Sequence, residues 1–443
     1  MKTKRKKLDI ILFIILISYF MILLDNSIIF TGTIKMAQSL HLNKVELSWV
    51  TDAYSLTFGG FLLFGGRAGD IWGRKRIFQI GLFIFGIGSL IVGLSHNATT
   101  IILSRGFQGI SSALLAPTSL ALLMDNYTGH ERTKAISYYG ATAGIGASIG
   151  LVIGGFFASL LSWRYGFFIN VPISIIMLIL SQKYLNKSTT KVGKVDYLGT
   201  FISLVGMILL VYSIDGDKYR LVSLIISILL LIGFIYQESV AKDPMMPLSL
   251  FKNNERLGAY LARFFYLGAM LSFWFLTPQI MQTELHFSAL MAGIGFFPLT
   301  IVNFFVAMKV AKLTLRFGNA RLLAIGLIIT LVGMIFITFF SAHLGYWIGI
   351  AIPMVLLGAG QGMTLSPLTV SGVTHTKAKE AGSASGVVNT VHQMGGAVGL
   401  SIIISITSLF THHTYNIAML IASIFLFISL LFTVFLIMPS ENK

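Results

Sequence analysis

Three ionisable side chains stand inside otherwise apolar runs of this sequence: Asp25, Asp52 and Arg105. Charge is costly in hydrocarbon, so such residues mark a pathway, a pairing or a proton site. Counted at about 1.5 Å per helical residue, Asp25 lies roughly 25 Å along its run, and Asp52 and Arg105 each about 9 Å below the outer ends of theirs. All three therefore fall at one level, in the outer half of the membrane. Two carboxylates and one guanidinium at one level can make a proton-coupled site, because burial, like-charge repulsion and the cation act on proton occupancy in opposing ways. The expectation is that Asp25 and Asp52 alternate between protons and substrate while Arg105 tunes them. The plainer alternative makes Asp25 a helix-pairing acid and Asp52 a wet residue of an outer vestibule.

A second constellation is Asp70 with Arg74, an acid and a guanidinium four residues apart beside Gly66, Gly69 and Gly73. They can pair across one helical turn, and the glycines permit close approach; Asp125, at the inner end of a later run, is placed to join them. Arg263, near the inner start of its run, is expected to snorkel toward headgroups. His392 could shuttle protons or, beside Gln393, make a structural hydrogen bond. No metal-ligand spacing occurs. With no cysteine among 443 residues, disulfides, thiolate metal sites and cysteine nucleophiles are excluded. Gly144-x-Gly146 follows no strand, and no Gly-x-x-x-x-Gly-Lys-Ser/Thr is present, so nothing points to a nucleotide.

The elements that must position these groups are apolar. Hydrophobic residues make up 55% of the chain and charged ones 11%, well short of the polar surface a soluble domain carries. Runs long enough to cross about 30 Å of hydrocarbon fall near 8–34, 46–68, 77–95, 99–124, 134–160, 165–182, 196–214, 220–238, 257–282, 289–311, 321–340, 345–368, 383–410 and 415–438. The first is too long, and lacks the cleavage site, for a signal peptide.

The net charge of +16 is spread over alternate loops rather than one basic face, which argues for topology and against nucleic acid. Of 32 Lys and Arg, five (Lys35, Lys44, Arg164, Lys218, Arg220) fall in outer loops and two within spans. That leaves 25 on the inner side, Lys2–Lys7, Arg74–Arg76, Lys183–Lys194, Lys242–Arg256 and Lys309–Arg321 among them. Fourteen spans with both termini cytoplasmic follow.

The chain also repeats. Gly66-Arg-Ala-Gly-Asp-Ile-Trp-Gly-Arg-Lys-Arg76 has a worn relative in Lys312-Leu-Thr-Leu-Arg-Phe-Gly-Asn-Ala-Arg321, and Phe107-Gln-Gly109 is echoed by Gly360-Gln-Gly362, both eight helices on. This suits an all-α membrane protein of two pseudo-symmetric six-helix bundles, 1–182 and 257–443, with two linker helices in 183–256, as in transporters whose halves rock about a central site.

These stretches resemble the major facilitator superfamily, and within it the fourteen-span drug:proton antiporters. The Gly66–Arg76 run is similar to that superfamily's loop between helices two and three, and Arg105-Gly-Phe-Gln-Gly109 to its fourth-helix motif. Gly150-Leu-Val-Ile-Gly-Gly155 resembles the fifth-helix antiporter motif, and Ser162-Trp-Arg-Tyr-Gly-Phe-Phe-Ile-Asn-Val-Pro172 the stretch after it. Leu24-Asp-Asn-Ser-Ile-Ile29, Pro247-Leu-Ser-Leu-Phe251 and Gly386-Val-Val-Asn-Thr-Val-His-Gln393 look like landmarks of the fourteen-span branch. Leu151 stands where the fifth-helix motif has proline, which puts tight antiport in question. The resemblance implies a cytoplasmic latch of Gly66, Asp70, Gly73, Arg74 and Asp125, holding the inner face shut.

Gly146, Gly150 and Gly154, with Gly155 beside them, have small-xxx-small spacing and are expected to pack closely, with sliding between halves as an added role. Gly382 with Gly386, and Gly395 with Gly399, suggest the same in span thirteen. Aromatic and polar side chains that could line a substrate path are Tyr54, Tyr138, Tyr139, Trp274, Phe275, Gln279, Asn389 and His392. Flat aromatic faces suit lipophilic cations. The implied function is proton-coupled export of lipophilic, mainly cationic drugs, dyes or biocides across the cytoplasmic membrane. It needs no cofactor beyond the proton gradient, and no partners beyond small-molecule substrate, protons and the lipid bilayer. Export of an endogenous metabolite or lipid, and a non-transporting membrane sensor, are the alternatives.

Overall fold

The computed structural model describes residues 2–186, 190, 193, 195–216, 218–340, 342–377 and 380–441, leaving aside the side chains of 2–8, 143–144, 342 and 441. Lys187, Lys191 and Lys194 and the side chains of Lys2–Lys7, on which part of the charge asymmetry rests, lie outside the described residues. Among those described there is no strand. Fourteen helices of membrane-crossing length follow one another: α1 (Lys2–Leu40), α2 (Lys44–Trp72), α3 (Arg74–Gly93), α4 (Ala98–Asn126), α5 (Gly129–Leu160), α6 (Trp163–Tyr184) and α7 (Tyr197–Asp215). After these come α8 (Arg220–Val240), α9 (Asn254–Thr283), α10 (Ala289–Phe317), α11 (Asn319–Phe340), α12 (Trp347–Val373), α13 (Ala381–Thr407) and α14 (Thr414–Ser440).

Thirteen of them are long and apolar enough to cross a membrane. The exception, α2, is as long but more polar, and its Ser48, Thr51, Asp52, Ser55 and Thr57 are all buried. Several helices begin on side-chain caps that occupy otherwise unpaired amides. Asn43 and Glu46 form a reciprocal capping box at α2, and Asn97, Asn253 and Ser288 cap α4, α9 and α10.

The chain forms two compact units, Met1–Leu204 and Val205–Lys443, the division falling within α7. In the first, Ile14 of α1, Phe78 and Phe85 of α3, Leu115 and Leu122 of α4 and Met177 of α6 share one apolar core. Glycine sets how closely its helices approach. A Cβ on Gly65 would lie 2.0 Å from the Ala113 carbonyl oxygen, and one on Gly109 would lie 2.3 Å from that of Tyr54. The α2–α4 crossing is therefore backbone against backbone.

The ladder Gly146, Gly150, Gly154 faces α1, meeting Leu23, then Leu24 and Ser27, then Ile28 and Thr31. The expected close packing is found, with α1 of the same unit as its partner. Leu151 is fully buried, α5 runs unbroken past it, and its carbonyl accepts from Thr31 Oγ1 at 3.3 Å. Leucine here keeps the backbone amide that proline would remove.

In the second unit, Gly395 and Gly399 of α13 press on α9, where their Cβ atoms would come within 2.3 Å of the Phe264 carbonyl oxygen and 2.2 Å of Gly268 Cα. Gly382 has open space around it and so takes no part in the close packing expected of it. Ser227 Oγ donates to the Gly206 carbonyl at 2.8 Å, holding α8 to α7.

The glycine contacts give a direct test. Gly109→Ala is expected to destabilise the chain by about 1–3 kcal/mol through overpacking. Gly233→Ala, on α8 with nothing within 4 Å of its Cβ, should be neutral or stabilise by roughly 0.5–1 kcal/mol. Unfolding midpoints of the purified variants in detergent check both; equal midpoints would refute the backbone crossing.

Candidate functional site

Asp25 of α1 and Arg105 of α4 are fully buried and bonded to one another through Asp25 Oδ2 and Arg105 Nη1. The other carboxylate oxygen accepts from Gln108 Nε2 at 3.0 Å and from Asn170 Nδ2 of α6 at 2.9 Å. Arg105 spends a second bond of Nη1 on Gln108 Oε1 at 2.8 Å and gives Nε to the Val50 carbonyl of α2 at 3.1 Å. Gln108 Nε2 also reaches Ser89 Oγ of α3 at 2.7 Å. One node thus joins five helices, α1, α2, α3, α4 and α6. Charge pairing and hydrogen bonds together are what make a buried ion pair tolerable.

The guanidinium lies over the ring of Tyr54, 4.2 Å from its centroid, an arrangement favoured by the negative face of the ring. The Tyr54 hydroxyl donates to Ser112 Oγ at 2.7 Å and accepts from Asn26 Nδ2 at 3.3 Å. Tyr54 is therefore buried against the ion pair. Two buried atoms of the node, Arg105 Nη2 and Asn170 Oδ1, have no hydrogen-bond partner among the described residues.

The structure brings Asp25 and Arg105 together as their depths suggested. Asp52 is fully buried, unlike the wet vestibule residue of the plainer alternative, and lies two positions beyond Val50, whose carbonyl holds Arg105. Gln108 and Asn170 were missed as site residues. Both stood in recognised motifs, and Gln108 lies three residues after Arg105, on the same helix face.

The second constellation is also assembled. Arg74, the first residue of α3, donates to Asp70 Oδ1 through Nη2 at 2.8 Å and Nε at 3.2 Å, and Nη1 bonds Asp125 at the end of α4. Gly73 links α2 to α3 with φ of +96°, a conformation that a Cβ resists. A Cβ on Gly66 would meet only Pro117, at 3.8 Å.

The second unit repeats the plan with a neutral side chain in the place of Arg74. Gly318, φ +83°, links α10 to α11, and Asn319 Nδ2 donates to the Pro367 carbonyl at 3.2 Å and to Ser371 Oγ at 2.9 Å. Gly362 of α12 packs on Val306 and Asn303 of α10 as Gly109 of α4 packs on α2.

The remaining candidates scatter. Tyr138 is 45% exposed, with Lys134 over its ring, whereas Tyr139 stacks on Tyr19 at 4.0 Å. Trp274 stacks on Phe296 at 5.1 Å. Phe275 is buried, and its carbonyl takes Gln279 Nε2 at 2.8 Å. Asn389 is exposed, its Nδ2 on the Ser385 carbonyl at 3.0 Å. Arg263 does not snorkel. It is buried at 6% exposure, held by Thr369 Oγ1 at 3.0 Å and His392 Nδ1 at 3.1 Å, because α12 and α13 cover it.

Comparison with known proteins places this geometry. The chain is 32% identical over 403 residues to the cephamycin export protein CmcT of Amycolatopsis lactamdurans, covering 88% of this chain and 83% of that one. It is 30% identical over 410 residues to the puromycin resistance protein pur8 of Streptomyces alboniger (90% and 81%). With the multidrug transporter protein MdtP of Bacillus subtilis strain 168 it shares 27% over 409 residues (90% and 75%).

Among solved structures, that of a D-xylose-proton symporter matches with a TM-score of 0.72 at 14% identity, covering 98% of this chain and 99% of that one. At that identity the likeness speaks for the fold. Residues 15–400 match the family described as the Major Facilitator Superfamily. The protein is thus a multi-pass membrane transporter rather than an enzyme, and it belongs to the Major Facilitator Superfamily.

Proposed function

We propose that this transporter exports lipophilic small molecules, drugs and antibiotics among them, across the cytoplasmic membrane by alternating access driven by the proton gradient. No other cofactor and no obligatory protein partner enter the reading. In this proposal both termini lie in the cytoplasm, with bundles 1–182 and 257–443 as the alternating halves and 183–256 as linker. Relatives named for antibiotic export, antibiotic resistance and multidrug transport support the substrate class.

The observation that carries proton coupling is the Asp25–Arg105 node. A proton arriving on Asp25 removes the charge that holds Arg105, Gln108 and Asn170. Those residues belong to α4 and α6, so protonation changes how α1 is held against two neighbours. A proton thereby becomes a change of helix packing, which is what coupling requires. The ground for a cationic preference weakens at the same site, since Asp25 is already matched by Arg105. Arg74, gripped by two carboxylates on α2 and α4, is read as the cytoplasmic latch.

Asp25→Asn alone leaves a buried guanidinium unpaired and should destabilise by about 3–5 kcal/mol. Asp25→Asn with Arg105→Gln removes both charges and should recover most of that stability. In inverted vesicles the double variant should still show no pH-gradient-dependent ethidium transport, whereas the wild type does. Normal coupling in a well-folded double variant would remove Asp25 as the proton carrier.

The latch differs because its charges are partly exposed, with side chains 20–38% accessible. Asp70→Asn with Asp125→Asn should therefore shift stability by at most about 1 kcal/mol. If the pair gates the cycle, transport should fall roughly tenfold, the change expected of about 1.4 kcal/mol between states. Unchanged transport rates with a lowered unfolding midpoint would leave Arg74 as a structural turn residue.

A further inference from the structure

The second unit buries an arginine without an acid. Among the described residues Arg263 of α9 bonds only to Thr369 and His392, both uncharged partners: a guanidinium can only donate, so His392 Nδ1 accepts and its proton sits on Nε2. The helices packed on α9 around it, α12, α13 and α14, contain no Asp or Glu at all. On α9 itself the nearest carboxylate in sequence, Glu255, lies eight residues before it, about 12 Å along the axis. Arg105 in the first unit has Asp25; among the described residues Arg263 has no counterpart to it. An arginine in the membrane interior costs about 2.5–3.5 kcal/mol even by the mildest scale, which makes an unmatched one a request for an anion.

Unused donors stand beside it. Arg263 Nε and the hydroxyl of Tyr266, one turn further along α9, are buried and have no hydrogen-bond partner. Tyr266 is 1% exposed, and a buried polar group left unmatched calls for a reason. The cluster is not sealed: Thr369 of α12 and Asn389 of α13, one turn before His392, are exposed, so the guanidinium is reached past two polar side chains.

We infer that Arg263, positioned by Thr369, holds with His392 and Tyr266 an organic anion, a carboxylate or comparable oxyanion carried by the exported molecule. This rests on the export reading above and narrows it. The guanidinium supplies the charge and a planar fork that fits two oxygens at once. The Tyr266 hydroxyl and His392 Nε2–H are further donors, and Asn389 lies on the approach. A lipophilic body with one anionic group is the ligand class this chemistry recognises.

Two xanthene dyes separate the possibilities, because fluorescein carries a carboxylate and rhodamine 123 is its esterified cationic relative. The full chain in phosphatidylcholine nanodiscs should bind fluorescein saturably by anisotropy. Arg263→Gln should weaken that binding roughly tenfold or more, as expected for loss of a charge-assisted hydrogen bond. Rhodamine 123 binding should stay within about twofold, well under the tenfold worth of one such bond. Arg263→Lys, which keeps the charge and loses the fork, should fall between. Tyr266→Phe removes one donor and no charge; its fluorescein affinity should drop about threefold, which keeps the test open if Arg263→Gln does not fold.

Absence of fluorescein binding, or equal loss of both dyes in Arg263→Gln, overturns the site. Displacement of fluorescein by added phosphatidylglycerol assigns the donors to a lipid headgroup and overturns a soluble substrate. Energised export of rhodamine 123 without fluorescein binding removes the anion site alone. Arg263-dependent fluorescein binding without export of either dye upholds the site and removes the export reading.

Discussion

A carboxylate and a guanidinium buried together in hydrocarbon are stable only if each takes up nearly all of the other's field and the leftover lone pairs and protons find partners. Asp25 and Arg105 meet that demand by drawing on five helices, so the demand reaches into how the first unit packs. Gln108 fits because Gly88 opposes it: a Cβ there would lie 2.7 Å from Gln108 Cγ. Tyr54 comes under the guanidinium because Gly109 lets α4 meet the α2 backbone. Beside Asp25, Gly150 admits Leu24 and Ser27 of α1 at backbone distance. The glycines of α3, α4 and α5 serve one end: they bring helices close enough for short side chains to satisfy a buried charge.

The same economy explains how the two units differ. Equivalent glycines, Gly73 and Gly318, turn the chain between equivalent helices, and equivalent helices receive the side chain that follows. In the first unit that side chain is Arg74, bound to Asp70 and Asp125; in the second it is Asn319, bound to a carbonyl and a serine. A neutral clasp can be made and broken with little desolvation, whereas a charged one responds to salt and to nearby charge. The charged clasp therefore lies in the first unit, with a neutral one at the equivalent turn of the second.

Much of this was legible from the sequence, for reasons that differ by feature. Fourteen apolar runs are visible because lipid demands them, and depth along a helix is a matter of counting, which brought Asp25 and Arg105 to one level. Even α2 could be read, although its buried polar face lowers its hydropathy, because charge alternation required a span there. What counting along one helix cannot give is which neighbour covers a residue. Arg263 sits close enough to a helix start to reach headgroups, yet α12 and α13 bury it. The Gly146–Gly154 ladder announced a close contact without saying that α1 was the partner, and Gly382 carried the same spacing with no contact at all. Asn170 lies 145 residues from Asp25, a separation across which no local pattern speaks.

Gln108 is bonded to both members of the ion pair. Its orientation is fixed by its partners: an ionised Asp25 accepts only and so faces Nε2, while Arg105 donates only and so faces Oε1. Were a hydrophobic residue in its place, neutralising Asp25 would leave Arg105 with the Val50 carbonyl and the rings of Tyr54 and Phe167 among its remaining contacts. With Gln108 present, the guanidinium keeps Oε1 when the carboxylate is neutral, and Nε2 keeps Ser89 Oγ. The unfilled positions at Arg105 Nη2 and Asn170 Oδ1 act in the same direction, since a fully satisfied network would resist rearrangement. Asn170 Oδ1 is an acceptor with nothing to accept while Asp25 is ionised. A protonated Asp25 would bring a donor to that neighbourhood, while Arg105, still charged, would lose its ionic partner and keep neutral ones.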